Sequence, residues 1–192
     1  MISLRLVKAF VASAVDETGT HNLPALLASS GLMPNDLERV EAALAADLYA
    51  RFQQALRSFY GRGARGMLIR FGRSMWDRLI AEAGVIEKAE LEIARRLPVP
   101  ARRRRVLGLV AARLQEGGGS ASLHTLDLDF LLVDHASPSA AGQKDDDPIC
   151  YVTLGFIQGA LFWATGKEAD VEEIMCKAAG APACEFKIKS GG

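Results

Sequence analysis

Between Ile149 and Thr165 the chain is apolar on nearly every side, and the run stops at Gly166. A helix without a polar face must be buried all round, so the fold has to be built around this one. Asp147-Pro148 reads as an N-cap followed by proline at the first helical position, and Gly166 as the C-terminal glycine. The longest apolar stretch, Tyr151 to Ala164, is interrupted by Gln158 and is too short to span a bilayer. Gly155 and Gly159 permit close backbone approach on one side. One face is expected on a sheet; the other is left for the N-terminal helices, a ligand cavity or another subunit.

The flanking sequence is helical before this segment and extended around it. MISLRLVKAFVASAV carries Lys8 within its apolar run, which spoils a signal-peptide core and favours an amphipathic first helix or strand. Leu23 to Ala28 reads as a short helix. Asn35 and Glu38 form a capping box ahead of a stripe through Leu37, Val40, Leu44, Leu48, Phe52, Leu56 and Phe59. Helical spacing resumes over Ala64 to Ala83, then Glu87 to Leu97 and Ala101 to Gln115, with Pro98 and Pro100 between the last two. Gly117 to Ser120 reads as a flexible joint. Beyond it Leu126, Leu128, Phe130 and Leu132 alternate with polar residues as a single strand, and Val171 to Lys177 with Cys184 to Lys189 as a terminal hairpin. The expected fold class is α+β: an antiparallel sheet packed against a mainly helical N-terminal region. One domain over 1–192 is expected, helical over 1–118 and carrying strands, helix and hairpin over 119–192.

Composition narrows the function. The 192 residues carry 23 basic and 23 acidic side chains, which argues against direct nucleic-acid binding. Three cysteines do not make a complete disulfide framework, and a soluble cytoplasmic protein with reduced thiols is expected. Gly61-Arg62-Gly63-Ala64-Arg65-Gly66 matches a dinucleotide fingerprint in spelling, but a helix precedes it where a strand is required, so it reads as an inter-helix turn. Arg102 to Arg105 reads as a solvated helix face. Arginines in a first helical turn oppose the macrodipole, so Asp145 to Asp147, a ligand carboxylate or a partner surface would relieve them. His21, His124 and His135 are scattered and support no hydrolytic triad.

All three cysteines, Cys150, Cys176 and Cys184, lie in the last part of the chain, with Glu173 three residues before Cys176. Three soft thiolates and one carboxylate suit a tetrahedral zinc ion; without a Cys-x-x-Cys pair, buried inert thiols fit the spacing as well. On a regular strand Glu173 and Cys176 would face opposite sides, so joint ligation requires a bulge, a turn or a short helix there.

The pattern Gly155-x-x-x-Gly159, Gly166, Val171-Glu172-Glu173-x-x-Cys176-x-x-x-Gly180-x-x-x-Cys184-x-Phe186 resembles the 4-vinyl-reductase-type domain. That domain occurs in bacteriochlorophyll-synthesis proteins and in the sensor half of phenol- and xylene-responsive activators, and is related to subunits of the TRAPP vesicle-tethering complex. The specific likeness covers roughly residues 147 to 188; upstream the arrangement alone agrees. It implies a structural zinc on Cys150, Glu173, Cys176 and Cys184, with no catalytic residue. It also implies a small hydrophobic ligand, aromatic or tetrapyrrole-like, for which Phe71, Trp76, Phe130, Phe156 and Trp163 offer apolar walls and Gln158 a polar anchor. A homodimeric sensing domain is the favoured expectation. The alternatives are a reductase or accessory protein of bacteriochlorophyll biosynthesis and a TRAPP-like dimeric scaffold.

Overall fold

A computed structural model describes residues 2–19, 21–29 and 45–189. The Asn35 capping box and the start of its apolar stripe lie outside those residues. The helices are α1 (Leu4–Thr18), α2 (Leu23–Ser29), α3 (Ala45–Tyr60), α4 (Ala64–Ala81), α5 (Val85–Arg96), α6 (Val99–Gln115) and α7 (Tyr151–Thr165). The strands are β1 (Ala121–Leu126), β2 (Asp129–Asp134), β3 (Val171–Met175) and β4 (Cys184–Ile188). All pairings are antiparallel, in the order β1-β2-β4-β3. The architecture is α+β, as expected. Among the described residues no helix is long and apolar enough to cross a membrane.

The apolar helix α7 lies at the centre, and small residues set how closely α4 approaches it. A Cβ on Gly155 would lie 2.8 Å from the carbonyl carbon of Ile69, one on Gly159 2.9 Å from the Cα of Arg73, and one on Gly72 2.7 Å from the backbone N of Phe156. These are backbone-to-backbone approaches that no larger residue permits. Trp76 of α4 packs edge-on against Phe156 and Trp163 of α7, with centroids 5.5 and 5.9 Å away. Gly166 adopts the left-handed conformation and ends α7, as its position suggested.

Three local expectations are corrected. The alternation from Leu126 to Leu132 is a hairpin rather than one strand: Leu126 pairs with Asp129, and Asp127-Leu128 makes the turn. Asp127 takes a positive φ of 50°, which aspartate tolerates better than most residues. Apolar periodicity cannot register a two-residue turn that itself contains a leucine. The glycine run after α6 is a tight turn rather than a flexible joint, because a Cβ on Gly117 would lie 2.7 Å from the Ile2 carbonyl carbon and one on Gly119 3.0 Å from that of Leu114. Finally, α7 starts at Tyr151 with Cys150 as its N-cap, not at Asp147-Pro148. The Cys150 N–H is taken by the Glu173 carboxylate, which fixes the helix start further along. Gly61–Gly63 is a single 3-10 turn between α3 and α4, consistent with an inter-helix turn.

Candidate metal centre

Four side chains from three places in the chain meet under the start of α7. Cys150 caps α7, Glu173 sits on β3, Cys176 follows the end of β3, and Cys184 opens β4. The pairing of β3 with β4 slips between Glu173 and Met175. That irregularity removes the conflict between their odd spacing and a regular strand, and Glu173 and Cys176 come to one side.

One potential ligand atom from each of Cys150, Glu173, Cys176 and Cys184 lies within 4.8 Å of the others, and all four residues are buried. Cys150 Sγ is 3.4 Å from Cys184 Sγ and 3.9 Å from Cys176 Sγ. A tetrahedral ion with metal–sulfur bonds of about 2.3 Å requires sulfur–sulfur edges of about 3.8 Å. The thiols therefore already sit close to the spacing of such a site. All three are free of disulfide bonds. Glu173 Oε2 accepts the Cys150 N–H at 2.8 Å, while its Oε1 is buried with no hydrogen-bond partner. An orphaned carboxylate oxygen among three thiols suits a cation.

Electrostatics point the same way. Burial pushes the Glu173 carboxyl up to about 8. The Cys150 thiol is raised well above its usual value, because it donates to Cys176 and Cys184 and is desolvated. Cys176, which accepts those bonds, is held below the usual thiol range. Without a cation the pocket can hold little negative charge, so its protons stay on; a divalent ion would displace them. Four protein ligands would close the coordination shell, giving a structural rather than a hydrolytic site.

The family model of the 4-vinyl-reductase domain matches residues 134–190, which contain all four side chains. Residues 134–190 are a 4-vinyl-reductase-type domain. The likeness read from the tail of the sequence is thus supported, and this 4-vinyl-reductase segment comprises the loop before α7, α7 itself, β3 and β4. No curated protein matches the chain by sequence. Among solved structures, the phenol-responsive sensory domain of the transcription activator PoxR superposes with a TM-score of 0.55 at 16% identity, covering 78% of this chain and 74% of that one. A trafficking protein particle complex subunit 3 from Naegleria fowleri, covalently bound to palmitic acid, gives 0.59 at 19% identity over 77% and 93%. The SO2144 H-NOX domain from Shewanella oneidensis, in an Fe(II)CO ligation state, gives 0.60 at 15% identity over 96% of both chains. At these identities the likeness establishes the fold alone. A haem held through an axial histidine does not fit this chain, since His21, His124 and His135 are all exposed.

The six candidate ligand residues are distributed differently from the metal group. Phe71, Trp76 and Phe156 are buried in the core, and Trp163 stacks under the Arg95 guanidinium at 4.5 Å. Gln158 accepts hydrogen bonds from Arg73 at 2.8 and 3.1 Å, so its amide oxygen is already engaged. The pocket beside Trp76 measures about 20 Å³, room for one water. Phe130 instead lines a groove of about 660 Å³ between the start of α6 and the β1–β2 turn, a place the sequence did not single out. The arginine run is also accounted for. Arg102 donates to the carbonyls of Leu97 and Ala164, Arg103 is buried, and Arg105 pairs with Glu90 at 3.7 Å. The Asp145–Asp147 run makes none of these contacts.

Proposed function

We propose that the chain is a small-molecule binding and sensing domain in which Cys150, Glu173, Cys176 and Cys184 hold one structural zinc ion. The observation that carries this reading is the convergence of three buried thiols and a buried carboxylate with an unpaired oxygen. Zinc is favoured because sulfur-rich, four-coordinate, redox-silent sites are its usual structural use. Bound there, it would tie the N-terminus of α7 to the β3–β4 hairpin, and so couple the central helix to the sheet. The phenol-responsive neighbour supports a hydrophobic organic ligand, and the complex-forming neighbour supports assembly as a homodimer. The six aromatic and amide candidates reduce to Phe130 as the side chain on a cavity of ligand size.

Native mass spectrometry of protein purified without chelators tests all three parts at once. The expected spectrum is a dimer with one zinc per chain and a retained or added organic ligand. A metal-free chain that binds no organic molecule would overturn the proposal.

A further inference from the structure

The groove beside Phe130 has a chemistry of its own. Its walls are Val99 and Pro100 in the first turn of α6, and Leu128 and Phe130 from the β1–β2 hairpin. Val99 is 49% exposed and Leu128 81% exposed, so two large aliphatic groups face solvent across one half-open cavity. A hairpin turn is ordinarily served by glycine, asparagine or aspartate, and a leucine so exposed there adds little apolar burial to the fold. The volume, about 660 Å³, lies within the range of sites that enclose a small organic molecule.

The polar lining is positive on balance. Arg103 and Arg104 both line the groove, against a single acid, Asp127. Arg104 makes no hydrogen bond or ion pair among the described residues, whereas Arg102 and Arg105 are occupied elsewhere. These guanidinium groups stand at the positive end of the α6 dipole, where a cation is disfavoured and an anion is stabilised. An apolar trough with an excess of positive charge calls for a molecule with an apolar body and one anionic group. None of the lining residues is a cysteine, so the occupant is held without a thioester.

We propose that this groove binds a soluble single-chain amphiphile with an anionic head, of the type of a medium-chain carboxylate. The head lies toward Arg104 and the tail against Val99, Leu128 and Phe130. This rests on the small-molecule reading above and gives that reading a location and a ligand class.

Isothermal titration calorimetry of the full chain with decanoate, decanol and decyltrimethylammonium tests it. Decanoate is expected to bind tightest, with the cation of equal tail length at least about tenfold weaker. Arg104→Ala should weaken decanoate about fivefold and leave decanol unchanged, as fits one partly exposed charge-assisted contact. Leu128→Asp, at an exposed turn that should not affect folding, should weaken both by more than about tenfold. Equal affinity for the anion and the cation would overturn the inference, as would decanoate binding that neither substitution changes. If decanoate does not bind at about 1 mM but native mass spectrometry finds zinc and another organic ligand, the groove assignment falls and the sensing reading stands. If neither is found, both fall.

Discussion

Replacing Gly155 by alanine tests the close crossing of α4 and α7. The added Cβ would lie 2.8 Å from the carbonyl carbon and 2.9 Å from the Cα of Ile69. Ordinary carbon–carbon contact is about 3.5–4.0 Å, so the helices would have to part by roughly 1 Å. The obstructing atoms are backbone and cannot swing aside, which places the overpacking cost near the upper end of its range, about 3 kcal/mol. Alanine returns about 1 kcal/mol through its better helix propensity. The net expectation is a loss of about 2 kcal/mol, or a fall in Tm of about 4–8 °C for a chain of this length. Gly108→Ala is the matched control. It lies within α6, is exposed, and has nothing within 4 Å of the point where its Cβ would sit, so it should gain up to about 1 kcal/mol. Urea unfolding followed by tryptophan fluorescence reads both. A Gly155→Ala protein as stable as the parent, or two alanines with the same effect, would refute the reasoning.

Removing the metal with a strong chelator should lower Tm and speed hydrogen exchange in 149–153 and 184–188 more than elsewhere; uniform exchange would show that the site does not tie α7 to the hairpin. Glu87 receives Arg5 at 2.9 Å and Arg113 at 2.7 Å, and the Arg5 hydrogen bond together with the Arg113 charge holds its carboxyl down at about 2. Because the folded value lies below the ordinary one, this stability is fully present above about pH 4.5 and is lost as pH falls toward 2. Discounted for solvent screening, Glu87→Gln should cost about 1 kcal/mol at pH 7, and its deficit should shrink between about pH 5 and pH 3 in denaturant titrations. A deficit that is the same at both would contradict this origin. Arg102→Ala frees the ends of α5 and α7 from their shared guanidinium and should cost about 1–2 kcal/mol by thermal melting, with decanoate affinity unchanged.

The large elements were legible because their signals are local and redundant. The all-apolar run of α7, its terminal Gly166, and the thiols with Glu173 each announced themselves by residue type and spacing. What the sequence could not carry depended on contacts between distant segments. Cys150 caps α7 because Glu173, from another strand, takes its backbone N–H. The β3 irregularity that lets Glu173 and Cys176 converge is visible only once β4 is alongside. Leu128 reads as one more beat of an alternating strand until Asp127 turns the chain. The aromatic residues were picked by type, yet type does not separate a pocket wall from a packed core. Trp76 and Phe156 fill the space between α4 and α7, and the groove instead arises where two segments, at 99–104 and 125–130, happen to meet.

Whether the four converging side chains hold a metal is decided by the zinc content of the purified chain beside that of a Cys150→Ser, Cys184→Ser variant, measured by elemental analysis after purification without chelators. About one zinc per chain is expected for the parent and almost none for the variant. Less than about half an equivalent in the parent, or an undiminished content in the variant, would contradict the assignment of Cys150, Glu173, Cys176 and Cys184 as its ligands.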